Sequence, residues 1–129
     1  MLRIVQLGTP RVRGEGTRIG TVRRPPRGVP KERYAEDDWF DVWLPNLSPS
    51  KKLIDSFRAK GDDEAAWDVF ARKFDAEMHK PDALRVIDVL ATLSHTANFS
   101  IGCYCADPDR CHRSILEDIF FERLATMKG

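Results

Sequence analysis

No run in the chain approaches the roughly 18 consecutive apolar residues a membrane helix needs, so no helical span is expected. Cysteine is scarce: three in 129 residues, all between Cys103 and Cys111. An odd, clustered set argues against the disulfide framework of a small secreted domain and for a reducing compartment. The opening "MLRIVQLGTPRVRGEG" has no apolar core followed by a small-residue cleavage site. A cytoplasmic, soluble protein is the expectation. The chain also has no Walker-type phosphate loop, no dinucleotide-binding glycine fingerprint and no defensible Ser-His-Asp order. These absences leave the common nucleotide and hydrolase signatures out and imply no cofactor. There is no internal repeat and no low-complexity tract.

What is present suits one domain spanning 1–129, with 42% hydrophobic residues to build a core. The net charge of +1 hides an asymmetry. Residues 1–33 carry nine Arg and Lys against two acids, and the remainder carries twelve against eighteen. A basic third on a mildly acidic body points to an anionic partner, a phosphate-bearing small molecule or nucleic acid. The plain alternative is a solvated basic loop.

"LRIVQLG" predicts a first strand and "TRIGTVRR" a second. Pro25, Pro26 and Pro30 force "PPRGVPKERYAEDD" into a long irregular loop. "WFDVWLPNL" reads as extended. "SPSKKLIDSFRAKG" predicts a helix capped by Ser48 and stopped at Gly61. Trp67, Phe70, Ala71, Phe74 and Met78 recur at helical spacing, a stripe that suits a core. Leu84, Ile87, Leu90 and Ala91 mark a third helix, and Ile115, Leu116, Ile119, Phe120 and Leu124 a fourth. Between them "NFSIGCYC" predicts a strand with Phe99, Ile101, Cys103 and Cys105 on one face. This order predicts an α/β domain, three-layer-like, with a small mostly parallel sheet flanked by helices. Ligands of such sheets sit beyond the carboxyl ends of the strands.

The stretch "CYCADPDRCHRS" lies at such an end. One reading is an anion site. Free N–H groups and the positive dipole of a helix start converge there, Arg113 offers a bidentate fork, Ser114 a hydroxyl, and His112 a movable proton. The plain reading has Asp107 capping the helix, Pro108 starting it and Arg113 pairing with Glu117. A second reading makes Cys105 a nucleophile of rhodanese-like or phosphatase-like chemistry, activated by the helix start and an arginine. Its spacing to Arg110 or Arg113 does not match the phosphatase signature, and Asp107 and Asp109 would oppose an anionic substrate. A third reading is metal. Cys103, Cys105, Cys111 and His112 nominally form a zinc set, with Cys105, Cys111 and His112 the candidate ligands, but C-x-C-x5-C-H is not a knuckle spacing. On strand rise alone, Cys103 and Cys105 stand too far apart for adjacent ligands. Cys103 suits a small core residue.

"CYCADPDRCHRSILEDIF" resembles the closing motif of the family known as domain of unknown function 488. "GTRIGTVRRPPRGVPKE", "DVWLPNLSPSKKLIDSF" and "WDVFARKFDAEM" resemble its YeaO-like branch, and together these motifs cover nearly the whole chain. The branch's Asp-Arg-Leu-Trp before "PRG" is replaced here by "VRRP". The resemblance implies an α/β fold and a shared pocket, not an activity. It groups Arg24 and Arg27 with Cys105, Cys111, His112, Arg113 and Ser114.

If the first and last motifs meet, Arg24, Arg27, His112 and Arg113 line one basic pocket. The expected function is then anion binding. The enzyme version acts on a phosphorylated or nucleotide-like substrate, with His112 as acid or base and Cys105 as nucleophile. The non-catalytic version is a nucleic-acid-binding module with Trp39, Phe40 and Trp43 available for stacking. Those aromatics equally suit packing on the helices.

Overall fold

The computed structural model describes residues 1–61, 63–123 and 125–127. Four strands, β1 (Leu2–Gln6), β2 (Thr17–Gly20), β3 (Val42–Trp43) and β4 (Phe99–Cys103), form one sheet in the order β1-β4-β2-β3. Every pairing is parallel, and Ile101 stands level with Ile4 on one side and Ile19 on the other. The helices are α1 (Lys51–Ala59), α2 (Glu64–Met78), α3 (Pro81–Leu93) and α4 (His112–Glu122). The α/β class and the parallel sheet are as the sequence predicts. The second and third strands are shorter than the apolar runs suggested.

Period-2 alternation divides the sheet into two faces. Leu2, Ile19, Phe99 and Ile101 point into the main core. There they meet Leu53 of α1, Phe70, Phe74 and Met78 of α2, Ile87 of α3, and Leu116, Ile119 and Phe120 of α4. Arg18, Gly20, Ser100 and Gly102 hold the alternate positions. Over them lies irregular chain rather than helix. Phe40 rests on Gly20 so closely that a Cβ there would run into the ring, and Tyr34 packs edge-on against Phe40 at 5.1 Å. The long proline-bounded loop is therefore the cover of the second face.

Local caps differ from expectation at α1. Ser50, not Ser48, accepts from the Leu53 N–H (3.2 Å) and donates to Glu77. Ser48 instead closes the turn at Pro45–Leu47, donating to the Pro45 carbonyl (2.7 Å). Gly61 ends the helix at φ 79°, the left-handed position that favours glycine.

The second face also buries an ion pair. Arg18 is 0% and Glu15 2% exposed. The Arg18 Nε and Nη2 donate to the two Glu15 oxygens at 2.7 and 3.0 Å. Nη1 donates to the carbonyls of Thr9 and Asp38, both at 2.8 Å. Ser100 of β4 donates to Glu15 at 2.8 Å. Burial pushes the Glu15 carboxyl up, but the bonds from Arg18, Ser100 and the Val12 N–H outweigh it and hold its pKa at about 2.

Removing one member strands the other charge in a dry site, which costs roughly 3–5 kcal/mol. Arg18→Ala should lose about that much in urea unfolding, and Glu15→Gln with Arg18→Met should recover part of it. The Glu15 pKa is lowered on folding, so its stabilisation is complete above the ordinary value of 4.5. It is lost as pH falls from there toward 2, at about 1.4 kcal/mol per unit. Urea midpoints measured across that window should show the decline in wild type and a flatter profile in the double variant.

Candidate functional site

Because all four strands are parallel, their carboxyl ends share one edge, the edge at which such sheets bind ligands. Gln6, Gly20 and Cys103 end there. An open cleft of about 360 Å³ lies beyond β1 and β4, with Gln6, Thr9, Arg27, Trp39 and Tyr104 in its walls. Trp39 and Tyr104 meet edge to face at 5.8 Å. Gln6 Nε2 donates to the Tyr104 carbonyl at 3.3 Å. The Tyr104 hydroxyl donates to the Arg24 carbonyl at 2.8 Å. Burial, with Tyr34 nearby, pushes this phenol up to about 12. Thus the first and last motifs do come together, but through the backbone of Arg24 rather than its exposed guanidinium. Arg27 faces the cleft, and Arg113 is not among its walls.

The segment from Tyr104 to Cys111 links β4 to α4. Its middle, Pro108–Arg110, is a single 3-10 turn capped by Asp107, whose carboxylate accepts from the Asp109 N–H at 3.0 Å. The proline and the Asp cap therefore serve this turn and not α4, correcting the plain expectation. Cys111 is extended at φ −128°, ψ 143°, and α4 begins at His112 with no side chain capping it. Its first N–H groups are left to other partners.

Arg113 sits in that first turn and is only 5% exposed. It forms no ion pair with Glu117 or any other described acid. Its side chain turns back under the linking segment, where Nη2 reaches the Ala106 carbonyl at 3.4 Å. Nε is buried and has no hydrogen-bond partner. A charged guanidinium held this way carries much of its desolvation penalty uncompensated. Ser114 donates to the Cys111 carbonyl at 2.8 Å, so its proton is engaged in the helix turn.

His112 points inward. Its Nε2 lies 2.6 Å from the Thr21 carbonyl, which can only accept, so that nitrogen carries the proton. Nδ1 then presents a lone pair, 3.9 Å from the Cys111 sulfur. The ring packs edge-on against Phe74 at 5.4 Å. Burial, opposed by the Thr21 bond and reinforced by Arg113, pulls its pKa down to about 4. It is neutral at neutral pH.

The Cys103 and Cys111 side chains meet, their sulfurs within bonding distance while their Cα atoms stand 7.7 Å apart. Both are 1% exposed, in a second apolar cluster with Leu7, Val22 and Phe40. Cys103 is thus a core residue, as its burial propensity suggests, and also a partner of Cys111. Cys105 does not join them. The strand ends at Cys103, so the alternation that would have aligned Cys105 stops two residues short. Cys105 is the free, exposed thiol. Desolvation pushes its pKa up, with Arg113 only partly drawing it back.

Two features escaped sequence reading. Tyr104 emerges as a cleft wall only once the sheet is assembled. The Arg18–Glu15 pair carried a faint signal, an acid three residues before an arginine that shares a strand with Ile19.

A raised thiol pKa makes Cys105 a poor nucleophile in the ligand-free protein. Iodoacetamide should alkylate it more slowly than free cysteine at pH 7, read by mass spectrometry. A rate above that of free cysteine would restore the activated-thiol reading.

Among curated proteins and among solved structures, no match is found. Residues 2–124 match a family model described as the "Active DUF488-N3 subclade". That span takes in β1, the proline-bounded loop, all four helices and the "CHR" at the start of α4, so the chain belongs to the family of domain of unknown function 488, of which YeaO-like is one name.

Proposed function

We propose that the chain binds a phosphorylated or nucleotide-like small molecule at the carboxyl edge of its sheet, with Arg113 holding an oxyanion. The observation that carries this reading is the buried Arg113 Nε with no partner. An oxyanion accepting from Nε and a terminal nitrogen would supply the missing bonds in bidentate form. The uncapped first turn of α4 adds backbone donors and the positive end of the dipole. Arg27, Trp39 and Tyr104 suit the remainder of such a ligand, a second negative charge or a planar base. The Tyr104–Cys111 segment borders both features.

Within this reading Cys105, close enough to feel the Arg113 charge, is the group an enzyme would use for covalent chemistry. His112 is less suited to proton transfer, since its proton is committed to Thr21 and its other nitrogen faces sulfur. It acts instead as an anchor between the Thr21 segment and α4.

A pocket ligand is favoured over a nucleic-acid tract by the fate of the basic segment. Arg11 pairs with Asp41 (2.7 Å), Arg18 with Glu15, and Arg33 with Asp37 (2.9 Å). Arg23 donates to the carbonyls of Pro45, Ser48 and Pro49. Much of the excess positive charge is thus spent inside the fold. Phe40 is buried, which removes one of the three stacking candidates, and the Trp43 indole is fixed by its donation to the Val22 carbonyl.

The test uses sulfate, inorganic phosphate and a mononucleotide as probes in thermal-shift and calorimetric titrations. Wild type should be stabilised by all three. Arg113→Met should be as stable as wild type or more so without ligand, because it removes an unpaired buried charge, yet it should lose the response. Arg27→Ala should weaken the mononucleotide and spare sulfate. A destabilised Arg113→Met, or one that still responds, would overturn the reading. Tight duplex binding that falls steeply with salt would replace it with the nucleic-acid alternative.

A further inference from the structure

We infer that Cys103, Cys111 and His112 form a binding site for a thiophilic metal ion of the zinc class. This site is separate from the proposed oxyanion site and does not depend on it. The Cys103 sulfur, the Cys111 sulfur and a His112 ring nitrogen all lie within 4.8 Å of one another. Two thiolates and one imidazole are the donors such ions select.

Three features separate this cluster from three ordinary core side chains. The first is the orientation of His112. A metal-ligating imidazole usually donates its other N–H to a carbonyl or carboxylate, which fixes the tautomer. Here Nε2 donates to Thr21 at 2.6 Å, and the lone pair on Nδ1 is left facing sulfur. A core histidine with no ligand role has no need to aim an acceptor into an apolar cluster. The second is the backbone. Cys103 ends a strand and Cys111 precedes a helix, and their Cα atoms are 7.7 Å apart. Relaxed disulfides span about 4.4–6.8 Å between Cα atoms, and wider pairs need backbone movement. The two sulfurs are joined in this structure, so the site belongs to the reduced chain, in which the thiolates part and each reaches to the ion and not to the other sulfur. The third is charge. Two thiolates neutralise a divalent ion, so the complex suits the apolar surroundings of Leu7, Val22 and Phe40.

The assignment differs from the set the sequence suggested, with Cys103 in place of Cys105. Three protein ligands leave one tetrahedral position for a non-protein group. On binding, the Cys103 and Cys111 thiols release their two protons to solvent and no electrons move.

The probe is Co²⁺, added anaerobically to the full chain after phosphine reduction. Expected are sulfur-to-cobalt charge-transfer absorption in the near ultraviolet and tetrahedral d–d bands, saturating at one equivalent and bleached by Zn²⁺. Cys105→Ser should keep both signals. Cys103→Ser and Cys111→Ser should lose most of the charge-transfer band. His112→Gln should keep it, shift the d–d bands and weaken affinity at least about tenfold. Should the cysteine variants fail to fold, wild type alone decides. Zn²⁺ should protect two of the three thiols from alkylation, leaving Cys105 labelled. Labelling of all three despite Zn²⁺, or a Cys103–Cys111 disulfide that the phosphine does not open, would overturn the assignment.

Discussion

The fold depends on a buried arginine that is fully answered. Arg18 stands on the second face of the sheet, beside Gly20 and Gly102, on which Phe40, Val5 and Leu7 pack closely. Around its guanidinium the protein builds a ring of acceptors: the Glu15 carboxylate and the carbonyls of Thr9 and Asp38. Thr9 and Glu15 belong to the β1–β2 loop and Asp38 to the proline-bounded loop. Asp38 adopts φ 62°, a left-handed backbone that Asp tolerates better than most residues, and its carbonyl accepts from both Arg18 and the Gly8 N–H. The β1–β2 loop, the proline-bounded loop and β4 are fastened at one point. Trp39 and Phe40 follow Asp38 directly, so the cover of the sheet and the wall of the cleft take their position from the same centre.

Arg113 is the counterexample within the same molecule. Both arginines are buried, yet Arg18 meets four acceptor contacts at 2.7 to 3.0 Å and Arg113 one at 3.4 Å. The protein shows at Arg18 that it can satisfy a guanidinium when structure is the purpose. Arg113 is left short of acceptors at the start of α4, near the carboxyl edge of the parallel sheet. Sites that violate local rules of satisfaction are where function is expected.

Much of this was legible from the residues. Helical periodicity placed four helices, a short apolar run placed β1, and alternation placed β4, because these patterns report burial. The position of "CHRS" at a strand's carboxyl end followed from element order. Charge was the misleading signal. Nine basic residues in the first 33 look like a surface patch, but a sequence does not distinguish Arg18, sealed on Glu15, from Arg27, open to the cleft. The cysteines misled differently. Treating the strand as running through Cys105 put it on the face of Cys103. The chain leaves the sheet at Cys103, and Cys111 returns to meet it from the helix side. Long-range returns of this kind are set by tertiary closure, which no local pattern encodes.

The returning segment also ties the two candidate sites together. Cys103 and Cys111 bracket residues 104–110, and Arg113 turns beneath that segment toward Ala106. Holding its two ends at one point, through the sulfurs and His112, removes most of the freedom of a short loop. The Ala106 carbonyl, the Asp107 cap and the Cys105 thiol then keep fixed places relative to α4. Positioning Cys105 near Arg113 requires no regular structure in the segment, only ends that stay closed. The apolar cluster of Leu7, Val22 and Phe40 surrounds those ends. That cluster in turn rests on the loop that Arg18 secures. The fully paired arginine thus sets the frame in which the unpaired one is left open.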